Sequence, residues 1–124
     1  MKTVFVWLAA LMLAPGLAHA DAPLPEAAPP KPLKAEYVIY SGDLGDTRAP
    51  TKTERKMYVT VTGQPAKDIF DSMYPDAKST CSSEPGERMR VKGNVWCMYA
   101  PSSGFQCFFG FDLRTGASIA GGIC

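Results

Sequence analysis

Four cysteines, the most reactive side chains of this 124-residue chain, lie in its second half at Cys81, Cys97, Cys107 and Cys124. The successive spacings of 16, 10 and 17 residues contain no Cys-x-x-Cys motif for thiol exchange and no paired cysteine knuckles for zinc. An even number of cysteines in a small exported chain is typical of structural disulfides. The sequence therefore predicts two disulfide bonds.

Four cysteines allow three pairings, and the sequential pairing is the first expectation. Cys81–Cys97 and Cys107–Cys124 bonds would tether a polar loop and the end of the chain. A Cys97–Cys107 bond is the alternative, because these residues would lie directly opposite each other in a hairpin whose loop is centred near Ser102. On the chain-entropy view this bond adds little restraint, since it closes a short loop.

Basic side chains alternate along a predicted strand at Arg88, Arg90 and Lys92. Alternate residues of a strand share one face at intervals of about 7 Å, so the three cations would form a positive stripe. Met89 and Val91 would then face the core. The stripe would suit an anionic partner, and the alternative is an ordinary solvent-exposed face shielded by neighbouring glutamates.

Two predicted loops carry the other candidate binding residues. Residues 41–51 contain Asp43, Asp46 and Arg48, and residues 100–104 contain Ser102 and Ser103. Loops on a disulfide-stapled sheet lose little conformational entropy on binding, which favours affinity for a partner.

Several kinds of chemistry have no residues to support them. The single histidine, His19, falls in the predicted leader, so the exported chain would have no Ser-His-Asp triad and no His-ligated zinc. Phosphate-binding glycine motifs are missing from the sequence. Residues 41–46 resemble part of a calcium loop but lack its full ligand register. We expect no catalytic residue, no metal and no cofactor.

The N-terminal residues have the pattern of a secretory signal peptide over residues 1–20. Lys2 precedes an uncharged apolar run, and Ala18-His19-Ala20 fits signal peptidase cleavage before Asp21. The apolar run is too short for a membrane span. Prolines dominate residues 21–34, which predicts an extended, disordered spacer, and residues 35–124 would form one domain.

The domain is predicted to be α+β, with an antiparallel sheet of about five to six strands and one helix packed on one face. The order is β-β-α-β-β-β-β. Alternation marks residues 55–62 and 88–92 as strands, and an apolar stripe at helical spacing marks a helix over Pro65–Met73. Further strands are expected at residues 36–40, 95–99 and 105–113, and the strand at 105–113 is expected to be central. Residues 117–124 are expected to form an edge strand or a tail.

The charge balance and the predicted export limit the functions that the chain could have. Lys and Arg number 13 against 12 Asp and Glu, a balance that disfavours a nucleic-acid binder. We expect a soluble exported binding protein of the periplasm or culture medium, without catalytic activity. An inhibitor or immunity-type partner of another envelope or extracellular protein fits best. The alternatives are a carboxylate-dependent envelope hydrolase and a secreted structural or virulence-associated factor.

Overall fold

The structure is a computed structural model that describes residues 14–124. Residues 1–13 of the predicted leader lie outside the described residues. Residues 14–34 are exposed and contain neither helix nor strand. Regular structure begins at Ala35.

Seven antiparallel strands and one helix follow, which confirms the predicted α+β class. The strands are β1 (Ala35–Asp43), β2 (Asp46–Arg48), β3 (Lys56–Thr62), β4 (Arg88–Lys92), β5 (Val95–Ala100), β6 (Gly104–Asp112) and β7 (Ser118–Ile119), and the helix is α1 (Gly63–Ser72). The sheet order is β2-β1-β3-β6-β5-β4, with β7 paired to β6. The predicted central position of β6 is confirmed, because it pairs with β3, β5 and β7.

Strand β2 is the element that the sequence does not predict. The sequence predicts a loop over residues 41–51, but the first part of this segment forms a tight hairpin in which Asp43 pairs with Asp46. Leu44 and Gly45 make the turn. Glycines and aspartates are typical of loops and of hairpin turns alike, so composition alone does not separate the two.

The helix packs on one face of the sheet as its apolar stripe predicts. Ala66 and Phe70 are fully buried and Met73 nearly so, and together with Val61 of β3 they form the core. The ring of Phe70 meets Phe105 edge-on at 5.2 Å. The helix observed over Gly63–Ser72 agrees with the prediction to within two residues at each end.

The C-terminal residues pack on the opposite face. Trp96 and Phe108 stack there with ring centroids 4.2 Å apart. The chain then passes so close to β6 that a Cβ on Gly121 would lie 2.0 Å from the Phe109 carbonyl oxygen. Only glycine permits this approach, so Gly121 fixes the path of the C-terminal residues across the sheet.

The disulfides are Cys81–Cys124 and Cys97–Cys107, with no free cysteine among residues 14–124. Two disulfides are thus confirmed, but the sequential pairing is wrong. Loop-closure entropy does not decide between the sequential and the observed pairing. In the chain-entropy model the two bonds of either pairing together stabilise the fold by roughly 6–7 kcal/mol. Strand register decides the pairing, because Cys97 and Cys107 are direct cross-strand partners in β5 and β6.

Candidate functional site

The candidate binding residues lie at opposite ends of the sheet. Strand β6 begins beside the hairpin loop that carries Ser102 and Ser103, and it ends at Asp112, which pairs with Lys56. Lys56 in turn pairs with Tyr40, close to the β1–β2 hairpin. The two predicted loops therefore cannot form one continuous surface.

At the first end, two loops are bonded to each other through Glu84. Its Oε1 accepts the Ser102 backbone N–H at 3.0 Å, and its Oε2 accepts the Ser102 hydroxyl at 2.9 Å. Residues 81–87 and 100–104 are called the braced loop pair below. Gly86 lies against Pro101, where an added Cβ would be 3.2 Å from the proline ring.

The loop of residues 100–104 is itself a tight turn. The Ser103 N–H donates to the Ala100 carbonyl at 3.1 Å, and Gly104 has a φ of 76°. Proline at the second position and a left-handed glycine after the turn suit a short hairpin connection. Pro101, Ser102 and Ser103 are all exposed, so the turn presents a defined shape to solvent.

Glu87 holds the other half of the braced loop pair. Its Oε1 accepts the backbone N–H of Cys81 at 3.0 Å and that of Ser82 at 3.3 Å, and its Oε2 accepts the Ser82 hydroxyl. The Cys81–Cys124 disulfide fixes the same segment to the C-terminus. Glu84 and Glu87 thus act on backbone and hydroxyl groups and do not shield the basic stripe as the sequence suggested.

The arginines of the predicted stripe lie against the helix. Arg88 donates to both Asp76 oxygens at 2.8 and 3.0 Å, and Arg90 donates to Asp76 at 2.8 Å. Arg90 also donates to the Phe70 carbonyl at 2.8 Å, near the C-terminal end of α1. Both guanidinium groups lie over the Phe70 ring, at 5.1 and 4.3 Å from its centroid.

This arrangement corrects the expectation of a free stripe in the solvent. The shared strand face is present, but it is the face that packs on the helix, and only 12% of the Arg90 side chain is exposed. Met89 is buried on the opposite face, near Cys81, whereas Val91 is exposed and does not reach the core. Lys92 is exposed at the far end of β4.

Asp76, the ion-pair partner of both arginines, is not among the residues that the sequence pattern singles out. Hydrogen bonds from Arg88, and then from Arg90, lower the pKa of Asp76 from 3.8 to about 2. The same contact raises the pKa of Arg88. The sequence signal for this ion pair was a carboxylate shortly after the end of the predicted helix. Cations are favoured at helix C-termini, and a carboxylate nearby can pair with them.

The β1–β2 hairpin holds the remaining candidates. Asp46 and Arg48 form an exposed ion pair at 2.9 Å, and Asp43 lies across the hairpin from Asp46. Hydrogen bonding by Lys56, and then by the Gly42 N–H, lowers the pKa of Glu54 beside this hairpin. Exposed pairs of this kind are strongly screened by water, so the Asp46–Arg48 pair contributes little to stability.

Neither a metal site nor a membrane helix is found in the described part of the chain. Among residues 14–124, His, Cys, Asp and Glu form no group of three or more arranged to hold a metal ion. No helix in the same range has the length and apolarity to cross a bilayer. Comparison with models of protein families, with curated proteins and with solved structures found no match.

Proposed function

We propose that this chain is a small exported protein that binds another protein through the braced loop pair. The observation that carries the proposal is the double hydrogen bond from Ser102 to Glu84, at 3.0 and 2.9 Å, which joins the two loops. A loop fixed before binding loses little conformational entropy when it docks, and this favours affinity. An inhibitor or immunity-type protein needs such a loop.

The composition of the turn at residues 100–104, one half of the braced loop pair, suits a protein partner. Pro101, Ser102 and Ser103 project from the sheet and are exposed, and none of them carries a charge. Such a turn offers hydroxyl and backbone groups together with a rigid apolar ring. These groups suit the cleft of another protein better than they suit an anionic polymer, which would need exposed cations.

The arginine cluster supports a structural role for the basic stripe. The single Asp76 carboxylate pairs with both Arg88 and Arg90, which leaves one net positive charge on the three groups, and Arg90 is largely covered. Of the three stripe residues, Lys92 alone remains as an exposed cation without an ion-pair partner in the described residues. Electrostatic steering by the stripe is therefore a small part of this proposal.

Hydrolysis by carboxylates is the weaker candidate. A general acid that works near neutral pH needs a raised pKa. Glu54 and Asp76, whose pKa values are clearly displaced, are both displaced downward and stay ionised at neutral pH.

Export is part of the proposal because two disulfides fit an oxidising compartment.

Affinity capture from envelope extract with a matched pair of variants tests the proposal. Ser103→Arg places a long charged side chain on the braced loop pair, and Thr115→Arg places one in the exposed turn after β6, at the opposite end of that strand. The wild type and Thr115→Arg should retain the same protein in stoichiometric amount, identified by mass spectrometry. Ser103→Arg should lose it.

Two results would overturn the proposal. One is capture by Ser103→Arg at the wild-type level, which would place the interface elsewhere. The other is that wild-type protein retains no stoichiometric partner from envelope extract or from culture medium.

A further inference from the structure

The outer edge of β1 is open over Ala35–Tyr40. Strand β3 covers one side of β1 along these residues, whereas β2 pairs only with Ser41–Asp43. Within residues 14–124 no other strand pairs with β1. An open edge presents unpaired backbone groups and can template the addition of another strand.

The hydrogen-bond pattern identifies which backbone groups point outward. The Thr62 N–H donates to the Lys34 carbonyl at 2.9 Å, and the register of β1 with β3 makes these two residues direct partners. Hydrogen-bonded pairs alternate along an antiparallel ladder, so Glu36 and Val38 also face β3. Ala35, Tyr37 and Ile39 therefore direct their N–H and C=O groups away from the sheet.

The same edge carries exposed apolar and charged side chains. Tyr37 is 67% exposed and Leu33 is 61% exposed, both large fractions for residues beside a sheet. Lys34 and Glu36 are exposed and have no ion-pair partner within the described residues. A groove of about 550 Å³ lies beside the edge, and Glu36 is one of its lining residues.

We propose that β1, extended by the two residues before it, Leu33 and Lys34, pairs with the same segment of a second copy of this chain, in the antiparallel register that places Ala35 opposite its symmetry mate. This register makes Leu33 and Tyr37 hydrogen-bonded partners across the interface, with their exposed side chains on the same face. Lys34 of each copy faces Glu36 of the other in a non-hydrogen-bonded pair, where side chains approach most closely. This register therefore forms two pairs of opposite charge between the copies, each joining Lys34 to Glu36.

Neighbouring registers lack this complementarity. Centring the pair on Glu36 sets the two Glu36 carboxylates against each other, and like charges directly opposite are destabilising. Centring it on Lys34 does the same with two ammonium groups. Centring it on Tyr37 leaves Lys34 opposite Tyr40 and drives the second copy towards β2, which already occupies the edge beside Ser41.

The pairing should stop at a dimer. The other edge of the sheet is β4, and there the Ala77 N–H already donates to the outward Met89 carbonyl at 2.7 Å. An isologous β1 contact uses the open edge of both copies and leaves no equivalent edge for a third. The two braced loop pairs would point in opposite directions, so the dimer leaves the proposed binding surface free and is independent of it.

Charge swapping in the exported, oxidised protein tests the pairing. Sedimentation equilibrium should show a monomer–dimer equilibrium that Lys34→Glu and Glu36→Lys each weaken by about tenfold or more, because each creates like-charge pairs. The double variant Lys34→Glu/Glu36→Lys should restore dimerisation to within about threefold of the wild type. Lys52→Glu, an equal charge change at an exposed position outside the edge, should leave it unchanged.

Variants with one added cysteine report the register of the β1 pairing directly. Ala35→Cys should form an intermolecular disulfide under mild oxidation, since a hydrogen-bonded pair has Cα atoms about 5.5 Å apart, within disulfide range. Tyr37→Cys should not, because its symmetry mate would lie roughly 14 Å away. A chain that stays monomeric at every concentration, a double variant without rescue, or cross-linking through Tyr37→Cys alone would overturn the proposal.

Discussion

Replacing Asp76 by Asn removes the carboxylate that holds Arg88 and Arg90 against the helix while keeping the size of the side chain. A pKa of about 2 in place of 3.8 corresponds to at most about 2.4 kcal/mol of favourable interaction. Because 39% of the Asp76 side chain is exposed, solvent screening reduces this contribution to about 1 kcal/mol. Asp76→Asn should therefore lower the free energy of unfolding at pH 7 by about 1 kcal/mol.

The sign of the pH dependence follows from the lowered pKa. The carboxyl group releases its proton more readily in the folded chain, so its stabilisation is fully present at a pH well above its ordinary pKa of 3.8 and is lost as pH falls towards 2. The difference between the wild type and Asp76→Asn should accordingly shrink between about pH 5 and pH 2.

Urea unfolding at pH 7 and at pH 2 measures both effects. Asp71→Asn is the matched control, because Asp71 accepts from Lys67 at 2.6 Å on the exposed surface of the helix. It should cost less than about 0.5 kcal/mol at pH 7. Equal losses for the two variants, or a loss for Asp76→Asn that persists unchanged at pH 2, would refute the role assigned to this carboxylate.

Three further predictions concern packing and loop order. Phe70→Ala should lower the free energy of unfolding in urea by about 3–5 kcal/mol and Lys67→Ala by no more than about 0.5 kcal/mol, and equal effects would mean that a different helix face packs on the sheet. Gly121→Ala should cost at least about 1 kcal/mol in the same assay, since its Cβ would lie 2.0 Å from a backbone oxygen of β6. Gly45→Ala, whose Cβ would meet only a side-chain carbon at 3.7 Å, should be nearly neutral. Glu84→Ala should reduce NMR order parameters of the hairpin-loop amides from about 0.85 to below about 0.6, and unchanged values would contradict the bracing.

Local patterns were enough to predict the elements whose determinants lie within them. The bounds of β4 are those predicted, and the helix stripe identifies the buried face that contains Ala66 and Phe70. The opposed positions of Cys97 and Cys107 followed from the centre of one hairpin loop. Each of these features depends on residues that are close in sequence.

The misplaced features depend on tertiary contacts. Alternation correctly placed the side chains of Arg88 and Arg90 on one face, but it could not tell which face the helix covers. Because the helix covers the face that carries the two arginines, Asp76 is their counter-ion. The bracing of Ser102 by Glu84 joins residues 18 positions apart in different loops, and no periodicity signals such a pair.

Hydrogen–deuterium exchange on the complex captured with wild-type protein tests the proposed binding surface most directly. Binding should slow exchange at backbone amides of residues 81–87 and 100–104, and should leave amides of residues 41–51 at their free rates. Slowed exchange confined to residues 41–51, or to the helix, with the braced loop pair unprotected, would contradict the account.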